Sequence, residues 1–115
     1  MTDASARGTS PRTPRHERPA IDEAGLAAAR HADRLVAEAR ARGLTRWVSF
    51  FETLPDRLRD EEPAALRSTA MRSRAAYGAN DSVRDALPAE VTEPFLDSID
   101  RLLRELNREL HRARS

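Results

Sequence analysis

The feature that most constrains this chain is how little bulky apolar material it carries. Leu, Ile, Val and Phe together number 21 in 115 residues, and 20 further hydrophobic positions are Ala. A domain of this size is already marginal in the surface it can bury. A chain so poor in large side chains stays disordered when its net charge is also high. Here acids and bases nearly cancel, leaving a formal net charge of +1, and every one of those 21 residues lies between Ile21 and Leu110. The solution open to such a sequence is close packing of Ala-faced helices, with a second chain as a further source of stability.

The spacing agrees. Ile21, Ala24, Ala28, Ala32, Leu35 and Ala39 recur at intervals of three and four, which predicts a helix over about 21–42 with one buried stripe. Gly43 is placed to end it in a left-handed conformation, with Leu44 folding back on Ala39. Thr45 is expected to cap a short helix holding Trp47, Val48, Phe50, Phe51 and Leu54, after which Pro55 restarts the chain for one more turn. Pro63 suits the first turn of a third helix, where Glu61 and Glu62 complement the positive dipole end. Leu66, Ala70, Ser73 and Tyr77 form its stripe, and Gly78 ends it. Asp81 or Ser82 is expected to cap a short helix or single turn, with Ser82 to Asp85 imitating a capping box, and Pro88 stops it.

The last helix, about 93–112, has the clearest pattern: Leu96, Ile99, Leu103, Leu106 and Leu110 step by three and four, widened by Phe95 and Leu102. Its outer face sets Asp97 four residues before Arg101 and Asp100 four before Arg104, pairs worth about 0.3–0.5 kcal/mol each. Alternating apolar and polar runs of strand type are absent. The fold class is therefore all-α: a small helical bundle of two long helices and two or three shorter ones. Residues 19–115 form the helical domain and residues 1–18 a disordered tail rich in Arg, Pro, Ser and Thr. Leu35, Trp47, Phe51, Leu54, Leu66, Tyr77, Phe95, Ile99, Leu103 and Leu106 are expected in the core.

Composition excludes several functions. There is no Cys, so disulfides, thiolate chemistry and Cys-based zinc sites are ruled out. No apolar run reaches the roughly 18 residues of a membrane span, and the first dozen residues lack the apolar core of a secretory signal, so a cytoplasmic protein is expected. All 20 basic residues are Arg, which reads as codon bias in a GC-rich genome. The tail places Arg7, Arg12, Arg15 and Arg18 against Asp3 and Glu17, an arm that could touch nucleic acid or an acidic surface.

Catalytic and metal motifs are weak. His16, His31 and His111 do not pair at metal spacing, although Glu38 lies two turns from His31. Glycines are too scattered for a phosphate loop. The stretch AEARARGLTRWVSFFETL can be laid on the helix-turn-helix register, but Arg42 and Ser49 fall where that motif needs buried apolar groups. In RELNRELH, Arg104 and His111 stand two turns apart. That resembles the Arg–x(4–6)–His signature of the small all-helical HEPN ribonucleases, and the resemblance implies an RNA-cleaving pair handling phosphate and the 2′-hydroxyl proton.

Two segments remain as candidate partner-binding sites. RWVSFF concentrates Trp47, Phe50 and Phe51, either as a core plug or as an interface hot spot. The core reading is favoured, since Trp47, Phe51 and Leu54 share one face. AAYGANDSVRDALP brings Tyr77, Asn80, Asp81 and Arg84 to one loop. The expected function is a small non-enzymatic interaction or regulatory module without cofactor, acting through an apolar helix face on a protein partner or on a second copy. The alternative is a nucleic-acid binder using the Arg tail and one Arg face.

Overall fold

In the computed structural model, residues 14–78 and 82–114 are described. The chain opens with a single 3-10 turn, Arg15–Glu17, and then forms α1, Pro19–Ala41. All six residues of the predicted Ala stripe are buried, with Ala29 and Val36 widening it. The helix ends in a Schellman motif. Gly43 sits at φ 68°, the Leu44 N–H donates to the Ala39 carbonyl at 2.9 Å and the Gly43 N–H to Arg40 at 3.1 Å.

Two seven-residue helices follow, α2 (Thr45–Phe51) and α3 (Leu54–Asp60). Thr45 is not the cap expected of it: Leu44 holds that position, and no side chain caps the helix. The Schellman turn delivers the chain directly into α2, leaving Thr45 one residue inside. α4 runs Pro63–Arg74 and tightens into a 3-10 turn, Ala75–Tyr77. α5, Val83–Ala86, begins with the predicted capping box, Ser82 and Asp85 each bonding the other's backbone end.

The last helix, α6, spans Ala89–Arg114, a full turn longer at its start than the sequence pattern implies. Pro94 lies inside it. A proline is best tolerated in the first turn, so the sequence favours a start near Glu93. Instead the Pro88 carbonyl accepts from both Val91 and Thr92, which launches the helix early, and burial of Val91 and Thr92 holds that extra turn.

α1 and α6 pack antiparallel along their length, and α2, α3 and α4 close around them. The half-buried pair Arg18–Glu109 at 3.2 Å and the exposed pair Arg101–Glu23 at 3.0 Å accord with that antiparallel sense. The pairs expected within α6 are not made. Arg101 reaches Glu23 on α1, and Asp100 accepts from Arg74 on α4 at 2.7 Å, because neighbouring helices bring opposite charges nearer than the helix's own next turn does. The buried line of α6 runs Phe95–Ile99–Leu102–Leu106, and Leu103, expected inside, is half-buried on its flank. Tyr77 is likewise half-buried, while Leu58, Val83, Leu87 and Val91 join the core.

The expected tail boundary moves. Residues 14–18 belong to the fold, with Arg15 only 3% exposed. The physical reason is a set of acceptors supplied by α1 and the α3–α4 junction. The leader up to residue 13 lies outside the described residues.

Candidate functional site

Three clusters could carry function, and each is built differently. The first is the aromatic junction. Trp47 stacks on Phe51 at 5.9 Å and 29°, and Phe50 meets both edge-on. Phe51 in turn meets Phe95 of α6 edge-to-face at 5.9 Å, so the cluster ties α2 to the long helix. Such pairs add about 0.5–1.5 kcal/mol beyond the area they bury. Trp47 is 7% exposed and Phe51 fully buried, with Phe50 half-buried beside them. Arg46 lies over the indole at 4.6 Å, covering its outer face. The arrangement is a core plug, and the indole is not offered to a partner.

The second cluster surrounds the 77–84 loop. The Tyr77 hydroxyl donates to the Thr92 carbonyl, locking the end of α4 onto the start of α6. Arg84 lies 5.3 Å from the Tyr77 ring centre and forks onto Glu93 with bonds of 2.8 and 3.0 Å. Burial, reinforced by the Glu93 charge, pushes the Tyr77 phenol well above its ordinary range. The hydrogen bond from Arg84 holds the Glu93 carboxyl below its usual value, and the same bond raises Arg84. Of the four residues singled out here, Tyr77 and Arg84 are brought together, while Asn80 and Asp81 lie outside the described residues. A closed fork of this kind positions a loop; its charges already satisfy each other.

The third cluster escaped the sequence reading. Arg15 donates its backbone N–H to Glu62 Oε1 at 2.8 Å, Nε to Asp22 Oδ1 at 2.7 Å and Nη1 to the Glu61 carbonyl at 3.0 Å. Among the described residues its Nη2 is buried without a hydrogen-bond partner. Gly25 makes room for it: a Cβ there would stand 2.5 Å from Nη2 and 3.0 Å from the Leu58 carbonyl oxygen. A glycine inside an otherwise Ala-rich helix was the one available signal, since such a residue commonly marks a close approach. Beside this cluster, Thr69 donates its hydroxyl to Glu61. Glu61 also lines a shallow groove of about 270 Å³ with Arg57, Ala65, Ser68, Thr69 and Arg72.

The remaining candidates are dispersed. Arg104 and His111 both sit on the exposed side of α6, and His31 lies at the margin of α1. Among the described residues no three His, Cys, Asp or Glu side chains group as metal ligands, and no helix is long and apolar enough to cross a membrane. No family model, no curated protein and no solved structure matches the chain.

Proposed function

We propose that this chain is a small non-enzymatic interaction module that docks an acidic protein segment on the outward face of α4. The carrying observation is the pairing of Met71 with Arg72 on a helix that has no carboxylate. Met71 is 51% exposed, and it and Leu26 are the exposed large hydrophobics among the described residues. α4 carries Arg67, Arg72 and Arg74 and no acid. Arg67 is bonded to Asn107 and Arg74 to Asp100, whereas Arg72 makes no ion pair or hydrogen bond among the described residues. Ala64, Ser68 and Ala75 flank Met71 on the same face, so a helix could approach closely. An apolar contact on Met71 with a carboxylate on Arg72, beside the groove that Arg57 also lines, is the helix-on-helix form of recognition.

Charge decides between occupants. A second copy docked through the same face would bring Arg72 near Arg72, which like-charge repulsion opposes, while the Glu61 carboxylate in the neighbouring groove is already engaged by Arg57 and Thr69. Nucleic acid draws less support, because most surface arginines are engaged in ion pairs. Among the described residues Arg30 and Arg34 on α1, Arg72 on α4 and Arg104 on α6 stand outside those pairs, and four cations spread over three helices would release few counterions.

The test is a titration of the isotopically labelled chain with a synthetic Glu-rich amphipathic helical peptide, followed by amide chemical shifts. Shifts should concentrate on residues 63–75 and disappear in the Met71→Ala, Arg72→Glu double variant, with helical content unchanged. Shifts confined to other helices, or none at millimolar peptide, would reject the site.

A further inference from the structure

The Arg15 cluster has the parts of a ligand site. The recess has a floor without a side chain, at Gly25, and two acceptors for the guanidinium, the Asp22 carboxylate and the Glu61 carbonyl, while the Glu62 carboxylate at its rim accepts from the Arg15 backbone N–H. What fills it is a planar, delocalised cation, and the side chain that brings it is 4% exposed. A guanidinium suits this geometry because its fork addresses several acceptors at once, which an ammonium cannot do.

The group that fills the recess does not come from the helical frame. It comes from a three-residue turn outside α1, joined to it through Arg18, whose φ of −124° and ψ of 76° belong to neither helix nor strand. The fit is also incomplete among the described residues, since Nη2 is buried and unpaired there. A buried donor without a partner is unfavourable, so the turn is held less tightly than its hydrogen bonds alone would imply.

We propose that the recess bounded by Asp22, Gly25 and Glu61 is a guanidinium-binding site that the chain fills with its own Arg15. The N-terminal turn is then a strap, and an arginine side chain from a partner protein is the ligand that displaces it. Displacement has a direct route to the groove on α4, because Glu61 gives its carbonyl to Arg15 and lines that groove alongside Arg57. The inference stands independently of what binds α4.

Chemical rescue tests it. In full-length Arg15→Ala, the truncated side chain leaves a space matching ethylguanidinium. The variant should unfold at lower denaturant, and millimolar ethylguanidinium should restore at least half of the lost midpoint. Equimolar ethylammonium should restore none, and the Arg15→Ala, Gly25→Ala double variant should respond to neither, because the new methyl group occupies the recess. If Arg15→Ala is unfolded in plain buffer, ethylguanidinium should fold it. No recovery with the guanidinium, or equal recovery with the ammonium, overturns the site. For the strap, an arginine-bearing peptide added to the unaltered chain should speed amide exchange at residues 15–18 several-fold while leaving α6 unchanged. Exchange unaltered at saturating peptide overturns the displacement.

Discussion

The aromatic junction and the Arg15 clasp both fasten other parts of the chain to α1 and its neighbours, by opposite means. The junction joins α2 to α6 through Trp47, Phe51 and Phe95, rings held chiefly by burial from water, which is non-directional and needs no hydrogen-bond partner. The clasp joins a single turn to α1 and the α3–α4 corner through three hydrogen bonds, with one buried donor left over. In a chain so short of bulky side chains, the first kind of contact supplies stability and the second supplies position. The first tolerates small shifts and fails by cavity; the second fails when any one partner is lost or any atom intrudes.

The largest expected effect lies at the junction. Phe51→Ala removes a fully buried ring that meets Trp47, Phe50 and Phe95. A loss of about 3–5 kcal/mol is expected, a large share of the stability of a small domain. Urea denaturation followed by Trp47 emission measures it. In the unaltered chain that emission should be blue and constant on dilution, because the indole is buried within one chain. A maximum that reddens on dilution would make the junction an intermolecular contact and dissolve the contrast.

Gly25→Ala sharpens the comparison from the polar side. Alone, Ala in a helix interior is favoured over Gly by about 1 kcal/mol. Here the new Cβ would meet Arg15 Nη2 at 2.5 Å and the Leu58 carbonyl at 3.0 Å. The flexible guanidinium can yield, but only by leaving its acceptors. The variant should therefore be less stable than the parent by about 1–2 kcal/mol, the worth of hydrogen bonds to a charged group. In an Arg15→Ala background the same change should do much less harm. Equal losses in both backgrounds would place the clash at Leu58 and not at the clasp.

The contrast also explains what was legible in the sequence. Apolar periodicity marks the stripes of α1 and α6, and local turn chemistry marks Gly43, Pro63 and Ser82, since each acts on residues within a turn of itself. Arg15 acts on Glu61 and Glu62, which become its neighbours only once α3 and α4 have folded against α1. Nothing in a run of Pro, Thr and Arg distinguishes it from a solvated arm. Leu58, Val83 and Leu87 were invisible for another reason. They lie on or beside helices too short for a period to show.

Tyr77 combines the two modes, an aromatic ring half in the core with a hydroxyl on the Thr92 carbonyl. Its raised pKa means that folding favours the neutral phenol. That contribution is complete below the unfolded value of about 10 and is lost as pH rises beyond it. Tyr77→Phe should remove about 1 kcal/mol at neutral pH and flatten the alkaline decline in stability. A decline that persists unchanged in the variant would assign it to other groups.

The smallest effect concerns His31, midway along α1 between clasp and junction. Partial burial, then the Arg34 and Arg30 charges, lower its pKa, so the folded chain disfavours the imidazolium. The unfolded chain takes up a proton near pH 6.5 while the folded chain resists until lower pH. Stability is therefore complete above that value and declines as pH falls through it towards the folded pKa, where the loss levels off. His31→Gln should remove this step and leave the neutral-pH midpoint almost unchanged, because the side chain is only half-buried. Urea midpoints of the two chains between pH 7 and 5 decide it. If the step remains in the variant, carboxylates are its source.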